Sequence, residues 1–532
     1  MAKEHIMKLS VFVSFLILFT FMLSGCASGE SSSETSRDTF SEIVSENESE
    51  SSAVSRSDPE PHKITVSFDS EDKTKGYVKG KGSKTLMSGE AIEDEITAKP
   101  WTGYKFVSWS DGSTSPTRGK GEVFSDSASL TAQFEYDTLE MPVIAIDTEG
   151  GKGITSKTTY ISASCTLTNA DESLCFTEKP MQIRGRGNYS WTGTEKKSYR
   201  IKFDKKIGLL GQGNAEAKSW TLLAVHCDKS LLRTDAAFFF ASKLGTLPFV
   251  SSSTFAELYL NGKYEGVYEV CDQIQVHSGR VDIDDSGEGT DIGYLVELDV
   301  QASENRIKIY NGNTFEVKSA GVNKDQLEYI TSYLGSCLEA IESGDKQKAE
   351  KLIDIPSAVD SYLVEELMKN LDVGWGSFYF TKPKGGKLCF GPVWDFDLCA
   401  GNANDDRSTR EFRSYEYTYV GNEHFDYSQQ NDWFAALRRC EWFNELVSQR
   451  WTEVKQYAEE TVKHISETAG KYQNSFKRNF ERWKIFSKRI NREPNDVLRI
   501  KSFTGQTEFL EKWLTSRIEW LTKYFAGEAE DI

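Results

Sequence analysis

Two carboxylates one residue apart end an apolar run in FGPVWDFDLCAGN, residues 390 to 402, where Asp395 follows Trp394 and Asp397 follows Phe396. Acids in such a place need water or a cation. A third acid, Asp372, lies 23 positions before Asp395. Between them the chain reads as a strand, SFYFTK, a turn at Gly385 and Gly386, and a returning strand, KLCFGPVW. This fold-back predicts that Asp372 and Asp395 meet across the hairpin. Converging carboxylates repel unless a divalent ion sits between them or one takes a proton. In phosphoryl transfer one such acid orients the attacking hydroxyl and another holds magnesium against the phosphates. Spacing alone equally allows Asp372 to finish a helix end and Asp395 to anchor a turn through backbone hydrogen bonds.

The segments that must position these acids carry a basic counterpart. KPMQIRGRGNYSWTGTEKKSYRIKF reads as two β-like runs joined by a turn rich in Gly and Arg. Gly185 and Gly187 let backbone N–H groups approach an anion, and Lys197 and Lys202 follow within reach of a phosphate. Alternation puts Tyr199, Ile201 and Phe203 on one face and Lys202 on the other. Arg184 and Arg186 either touch phosphates or are structural, and an ordinary solvated hairpin is the alternative for the whole stretch. Further on, Asp228 and Ser230 precede a helical run that stops near Gly245. Asn261-Gly262 in FAELYLNGKYEGVYEV is a strong hairpin signal. Residues 323 to 352 read as an exposed, Lys/Glu-rich helical stretch. From Asn431 onward, Trp442, Trp451, Trp483, Trp513 and Trp520 recur at helical spacing and are expected to fill a helical lobe.

The N-terminus is of another kind. Lys8 precedes LSVFVSFLILFTFML, an apolar run of secretory-signal length. Residues 27 to 61 are Ser- and Glu-rich with little to bury, the composition of a disordered tether. From Lys63 to Asp137 short alternating runs separated by Gly, Ser and Asp predict a small antiparallel β module with Trp101, Tyr104, Phe106 and Trp109 as its core. The formal net charge is −18 over 532 residues, and removing residues 1 to 25 (Lys3 and Lys8 against Glu4, a net +1) leaves −19. That balance excludes nucleic-acid backbone binding as the main task, because such affinity comes from Lys and Arg. Apart from Cys26 there are eight Cys, with no C-x-x-C spacing, and the six His offer no ligand spacing. Most of these Cys are expected to be small buried hydrophobes, and Cys165 with Cys175 is the pair placed nearest for a disulfide.

Several of these segments resemble known families. LSGC at 23 to 26 resembles a bacterial lipobox, which makes Cys26 the lipid-bearing first residue of the mature chain and places the rest outside the cytoplasm. AKPWTGYKFVSWSDG followed by LTAQFEY resembles the bacterial surface repeat of the internalin B-repeat type. RGRGNYSW, KKSYRIKF, DKSLLR, ELYLNGKYEGVYEV, NLD before FYF, and GPVWDFDLCAGN occur in the order found in the spore-coat protein H (CotH) kinase family. The resemblance implies an α+β fold: an atypical two-lobe, protein-kinase-like domain with a helical C-terminal part. The expected organisation is a signal peptide over 1–25, a tether over 26–61, a β repeat over 62–137 and the kinase-like domain over 138–526. It further implies transfer of the ATP γ-phosphate, with Mg2+ or Mn2+, to Ser or Thr of a Ser-rich exported protein. Asp372 carries over as the catalytic acid, Asp395 as a metal-binding acid and Asp397 as a weaker second ligand. Arg184, Gly185, Arg186, Gly187, Lys197 and Lys202 carry over as the nucleotide-binding hairpin, with Lys202 favoured over Lys197 for the phosphate. Two positions depart from the family pattern: Ser377 stands where an Asn is common, and Asp272 where Glu is common. The alternative function is a non-catalytic surface adhesin or scaffold.

Overall fold

Alternation at the start of the folded chain builds two small sheets. The computed structural model describes residues 60–73, 75–100, 104–136, 139–211, 215–404, 414–422 and 431–530. The signal, Cys26 and most of the tether lie outside the described residues, as does Trp101. The strands are β1 (Lys63–Ser70), β2 (Gly76–Lys79), β3 (Ser83–Met87), β4 (Ile96–Pro100), β5 (Tyr104–Trp109), β6 (Thr117–Arg118) and β7 (Ala128–Tyr136). One sheet has the order β3-β1-β7-β5, the other β2-β4-β6. Ile64, Val66 and Phe68 face inward from β1, and Trp109 is fully buried edge-on to Phe68 at 5.6 Å. The pairing is not antiparallel throughout, since β1 and β7 run parallel. Trp109 satisfies its indole N–H on the Ser115 carbonyl at 2.9 Å, so this ring belongs to the module's core.

The second unit is a closed barrel. It uses β8 (Val143–Thr148), β9 (Ile161–Thr168), β10 (Phe176–Gly185), β11 (Tyr199–Ile207), β12 (Ala217–Leu223), β13 (Ser253–Leu260) and β14 (Lys263–Asp272), in the order β10-β11-β12-β14-β13-β8-β9. A short helix α1 (Tyr189–Thr192) sits in the β10–β11 connection, and α2 (Arg233–Ser242) follows β12. Tyr199, Ile201 and Phe203 point into the barrel with Met181, Ile183 and Trp220, while Lys202 is exposed on the outer face. Asn261 and Gly262 take φ of 51° and 72° between Leu260 and Lys263, the tight turn their types favour. Cys165 lies in this core and Cys175 at the exposed end of a turn. Both are free thiols, so the expected disulfide is absent, because the Cys165 side chain is committed to the barrel interior.

The helical lobe is built on a sheet ordered β16-β17-β15-β18-β19, from β15 (Tyr294–Leu298), β16 (Arg306–Lys308), β17 (Thr314–Val317), β18 (Phe378–Lys382) and β19 (Cys389–Phe390). Around it lie α3 (Lys324–Glu342), α4 (Lys346–Leu352), α5 (Ile355–Met368), α6 (Asp432–Arg438), α7 (Glu441–Lys471), α8 (Gln473–Arg482), α9 (Asn495–Arg499) and α10 (Phe503–Phe525). Asp354 caps α5 by accepting from Ser357 N at 2.9 Å, and nearly every side chain of that helix is buried. A helix buried on all sides, with Asp360, Glu365 and Glu366 enclosed among its apolar residues, lies at the centre of the lobe. Helix α3 is not the exposed element its charge suggests, since Ile330, Leu334, Leu338 and Ile341 enter the core at three- and four-residue steps. Trp451, Trp483 and Trp513 are buried in the lobe, with Trp442 and Trp520 half-buried against it. Among the described residues no helix is long and apolar enough to cross a membrane.

Barrel and helical lobe share one hydrophobic interior, because Phe255, Val267 and Cys271 point outward from β13 and β14 into the helical core. Asn479 of α8 secures the edge: its Oδ1 accepts from Lys196 Nζ at 3.0 Å and from Val267 N at 3.1 Å.

Candidate active site

Helix α5 ends on Lys369, whose left-handed φ of 51° turns the chain out of the helix. Asp372 therefore stands beyond the helix end. Asn370 sets its direction: Nδ2 donates to Glu365 Oε2 at 2.9 Å, and Oδ1 accepts from Asp372 N at 3.2 Å. The returning strand is shorter than its composition suggests. Only Cys389–Phe390 pair as β19, and the chain then runs irregularly through Val393 and Trp394 to Asp395. Two backbone bonds align the paths, Leu371 N to Leu398 O at 3.1 Å and Ala400 N to Met368 O at 2.7 Å.

The fold-back brings the acids together. Ser377 Oγ donates to Asp395 Oδ2 at 3.2 Å, and both residues hold positive φ, 58° and 69°. Such backbone in non-glycine residues is costly and clusters at functional sites. Burial pushes the Asp397 carboxyl well above the usual carboxylate range, and the negative charges of Asp395 and Asp372 push it further, against a hydrogen bond from Cys227. All three acids keep some exposure. Their donor atoms are all oxygen, the type that magnesium or manganese takes, but among the described residues these three do not gather ligand atoms within 4.8 Å of one another, so the set matches the metal in chemistry and not in closed geometry.

The acidic loop is held from the barrel side. Arg233, at the start of α2, is fully buried, paired with Asp228 at 2.5 Å, and donates to the Cys399 carbonyl at 3.0 Å and the Ala400 carbonyl at 3.1 Å.

The basic hairpin meets this loop at one place. Arg186, just past the end of β10, lies over the ring of Trp394, one residue before Asp395, at 5.7 Å. Other predicted binding residues are used within the hairpin. Arg184 donates to the carbonyls of Lys157 and Gly185 and stacks on Tyr160 at 5.1 Å. Lys197 Nζ donates to the carbonyls of Trp191 and Thr194. A Cβ on Gly185 would come 2.3 Å from the Trp191 ring, so that glycine makes room for an indole. Gly187 has a φ of 88° and Lys202 is exposed on the outer barrel face, two residues beyond Arg200.

Sequence reasoning missed Glu365 and Asn370, which burial and the end of α5 bring beside the acids. It also missed a second acidic group. Among the described residues, Glu297, Asp299 and Glu316 bring ligand atoms within 4.8 Å of one another. Lys318 already answers them, at 2.6 Å from Glu297 and 2.8 Å from Glu316, so this group is an ion-pair network.

A closed β barrel set against a helical lobe, with guanidinium groups on one side and carboxylates on the other, has the layout of a phosphoryl-transfer protein. Residues 183–521 match the family described as CotH kinase protein, and the chain belongs to that family. Residues 66–138 match the divergent InlB B-repeat domain. A solved structure of a Helicobacter pylori proinflammatory kinase, CtkA, aligns over 72% of this chain and 98% of its own at 11% identity, but its TM-score of 0.26 is too low to bear on the fold. No curated protein matches the chain.

Proposed function

We propose that this protein is an ATP-dependent kinase that phosphorylates Ser or Thr of exported, Ser-rich proteins while held at the outer side of a membrane by a lipid on Cys26. What carries the reading is the meeting of Asp372, Asp395 and Asp397 opposite Arg186, since carboxylates beside guanidinium groups complement a metal-bound polyphosphate. Asp372 accepts the proton of the substrate hydroxyl as its oxygen bonds to the γ-phosphorus. The bond from that phosphorus to the bridging oxygen breaks, and ADP carries away the electron pair. Asp395 and Asp397 are the groups that would hold Mg2+ or Mn2+, which neutralises charge on the phosphates when bound. Ser377 ties down Asp395 and offers a poorer ligand than the Asn common at that position, which favours one metal ion over two. The β repeat, by analogy with bacterial surface modules, serves as a spacer or adhesion unit.

The test is incubation of the purified chain with radiolabelled ATP and Mn2+ or Mg2+ in the presence of Ser-rich exported protein. Label that appears with the wild type and is lost in Asp395→Ala supports the kinase. Absence of transfer, with the fold intact, leaves the surface scaffold that the repeat module also suits.

A further inference from the structure

The outer face of the barrel carries a charge pattern that the hairpin's own structure does not use. Arg184 on β10 and Arg200 on β11 stand directly opposite one another in register, and Thr221 of β12 and Cys271 of β14 continue the row. Like charges directly opposed across strands destabilise a sheet unless something answers them. Arg184 is answered by carbonyl oxygens and Tyr160. Arg200 is not: its Nε is buried without a hydrogen-bond partner, and no carboxylate among the described residues pairs with it or with Arg186. Burial holds the Arg200 guanidinium below its ordinary value, and the charges of Arg184, Arg186 and Arg280 hold it lower still, against Tyr160. Arg280, only 3% exposed, gives its Nε to Asp272 at 2.7 Å and leaves both terminal nitrogens without partners. Arg186 leans from the same side of the hairpin onto Trp394, beside the acids.

We propose that Arg200 and Arg186 are the phosphate-binding residues, receiving the polyphosphate of a nucleoside triphosphate between the barrel face and the carboxylates, while Lys197 and Arg184 serve the hairpin's own geometry. The identity of the anion rests on the kinase reading above, whereas the anion site itself does not. An arginine fork gives two parallel N–H donors to a phosphate, and charge-assisted bonds of this kind are strong.

The experiment measures binding of inorganic tripolyphosphate, ATP and adenosine to the full chain by thermal shift and calorimetry, in EDTA so that no metal contributes. Tripolyphosphate and ATP should raise the melting temperature of the wild type and adenosine should not. Arg200→Gln and Arg186→Gln should each weaken tripolyphosphate at least about tenfold, while Asp395→Asn keeps it. Arg200→Lys, which retains charge without the fork, should recover binding only in part, and it decides the matter if the glutamine variant does not fold. Unchanged affinity in the folded Arg200 and Arg186 variants, or no polyphosphate binding by the wild type, overturns the assignment. Phosphoryl transfer with an unaltered KM for ATP in Arg200→Gln would reject the arginine site and leave the kinase standing. Tripolyphosphate binding through Arg200 without transfer to any protein would do the reverse.

Discussion

The hydroxyl of Ser377 reaches Oδ2 of Asp395 at 3.2 Å across the mouth of a folded-back segment, with both residues in left-handed backbone. This bond fixes Asp395, the acid proposed to hold the metal, from the end of the loop that carries Asp372. Asn adopts left-handed φ more readily than Ser and offers a better oxygen ligand. Ser377→Asn is therefore expected to raise transfer severalfold at limiting Mn2+ and to shift the metal titration to lower concentration. Ser377→Ala should lose about 1 kcal/mol of stability along with the hydrogen bond. Metal-dependent activity and denaturant titration check the two effects.

Glu365 should make the protein less stable as pH rises. Burial raises its carboxyl from 4.5 to about 8, with the Asn370 amide opposing and the charge of Asp395 adding to the rise. The folded chain therefore binds a proton that the unfolded chain releases. The stability from that proton is fully present below about pH 4.5 and is lost as pH rises toward about 8. Glu365→Gln, which keeps the bond to Asn370 possible, should flatten the decline. Melting temperatures of both proteins from pH 5 to pH 8, a range chosen inside that window, would show it. Equal slopes would rule out Glu365 as the source.

Breaking the buried pair of Arg233 and Asp228 should damage fold and site together. Arg233→Met strands a carboxylate and frees the carbonyls of Cys399 and Ala400, at an expected cost of about 3–5 kcal/mol. Urea denaturation should show the loss, and phosphoryl transfer by the fraction still folded should fall as well, because the acidic loop has lost its support.

The many Ser set beside Glu in the sequence of residues 27 to 61 make that segment an expected target of the chain's proposed activity. Phosphopeptide mapping of an active preparation should find phosphoserine there. Finding that stretch unmodified would set the expectation aside.

The acids of the site were legible because apolar runs, glycines and carboxylates there follow one another locally. A fold-back needs only short-range information, and so does the Asn261-Gly262 turn. The basic side was less legible. Lys197 and Arg200 look equally available in KKSYRIKF, yet Lys197 turns back onto the carbonyls of Trp191 and Thr194 while Arg200 faces a neighbouring Arg across the strand pair. Register decides between them, and register comes from tertiary pairing. Glu365 was hidden for a related reason: within an apolar helix an acid is read as solvent-facing until the lobe closes around it. The same holds for α3, whose many charges masked a stripe of Ile and Leu.

Asn479 gives the lobe contact a direction. Lys196 is buried and held well below its ordinary basicity by that burial, and its ammonium depends on the Asn479 oxygen and the Val267 carbonyl. Prising the lobes apart at this seam would break the Asn479 bonds to Lys196 and to Val267 N together, so the seam behaves as a rivet. Arg186 meets the acidic loop by a different kind of contact, a guanidinium over the Trp394 ring at 5.7 Å, which can part and re-form without breaking a buried hydrogen bond.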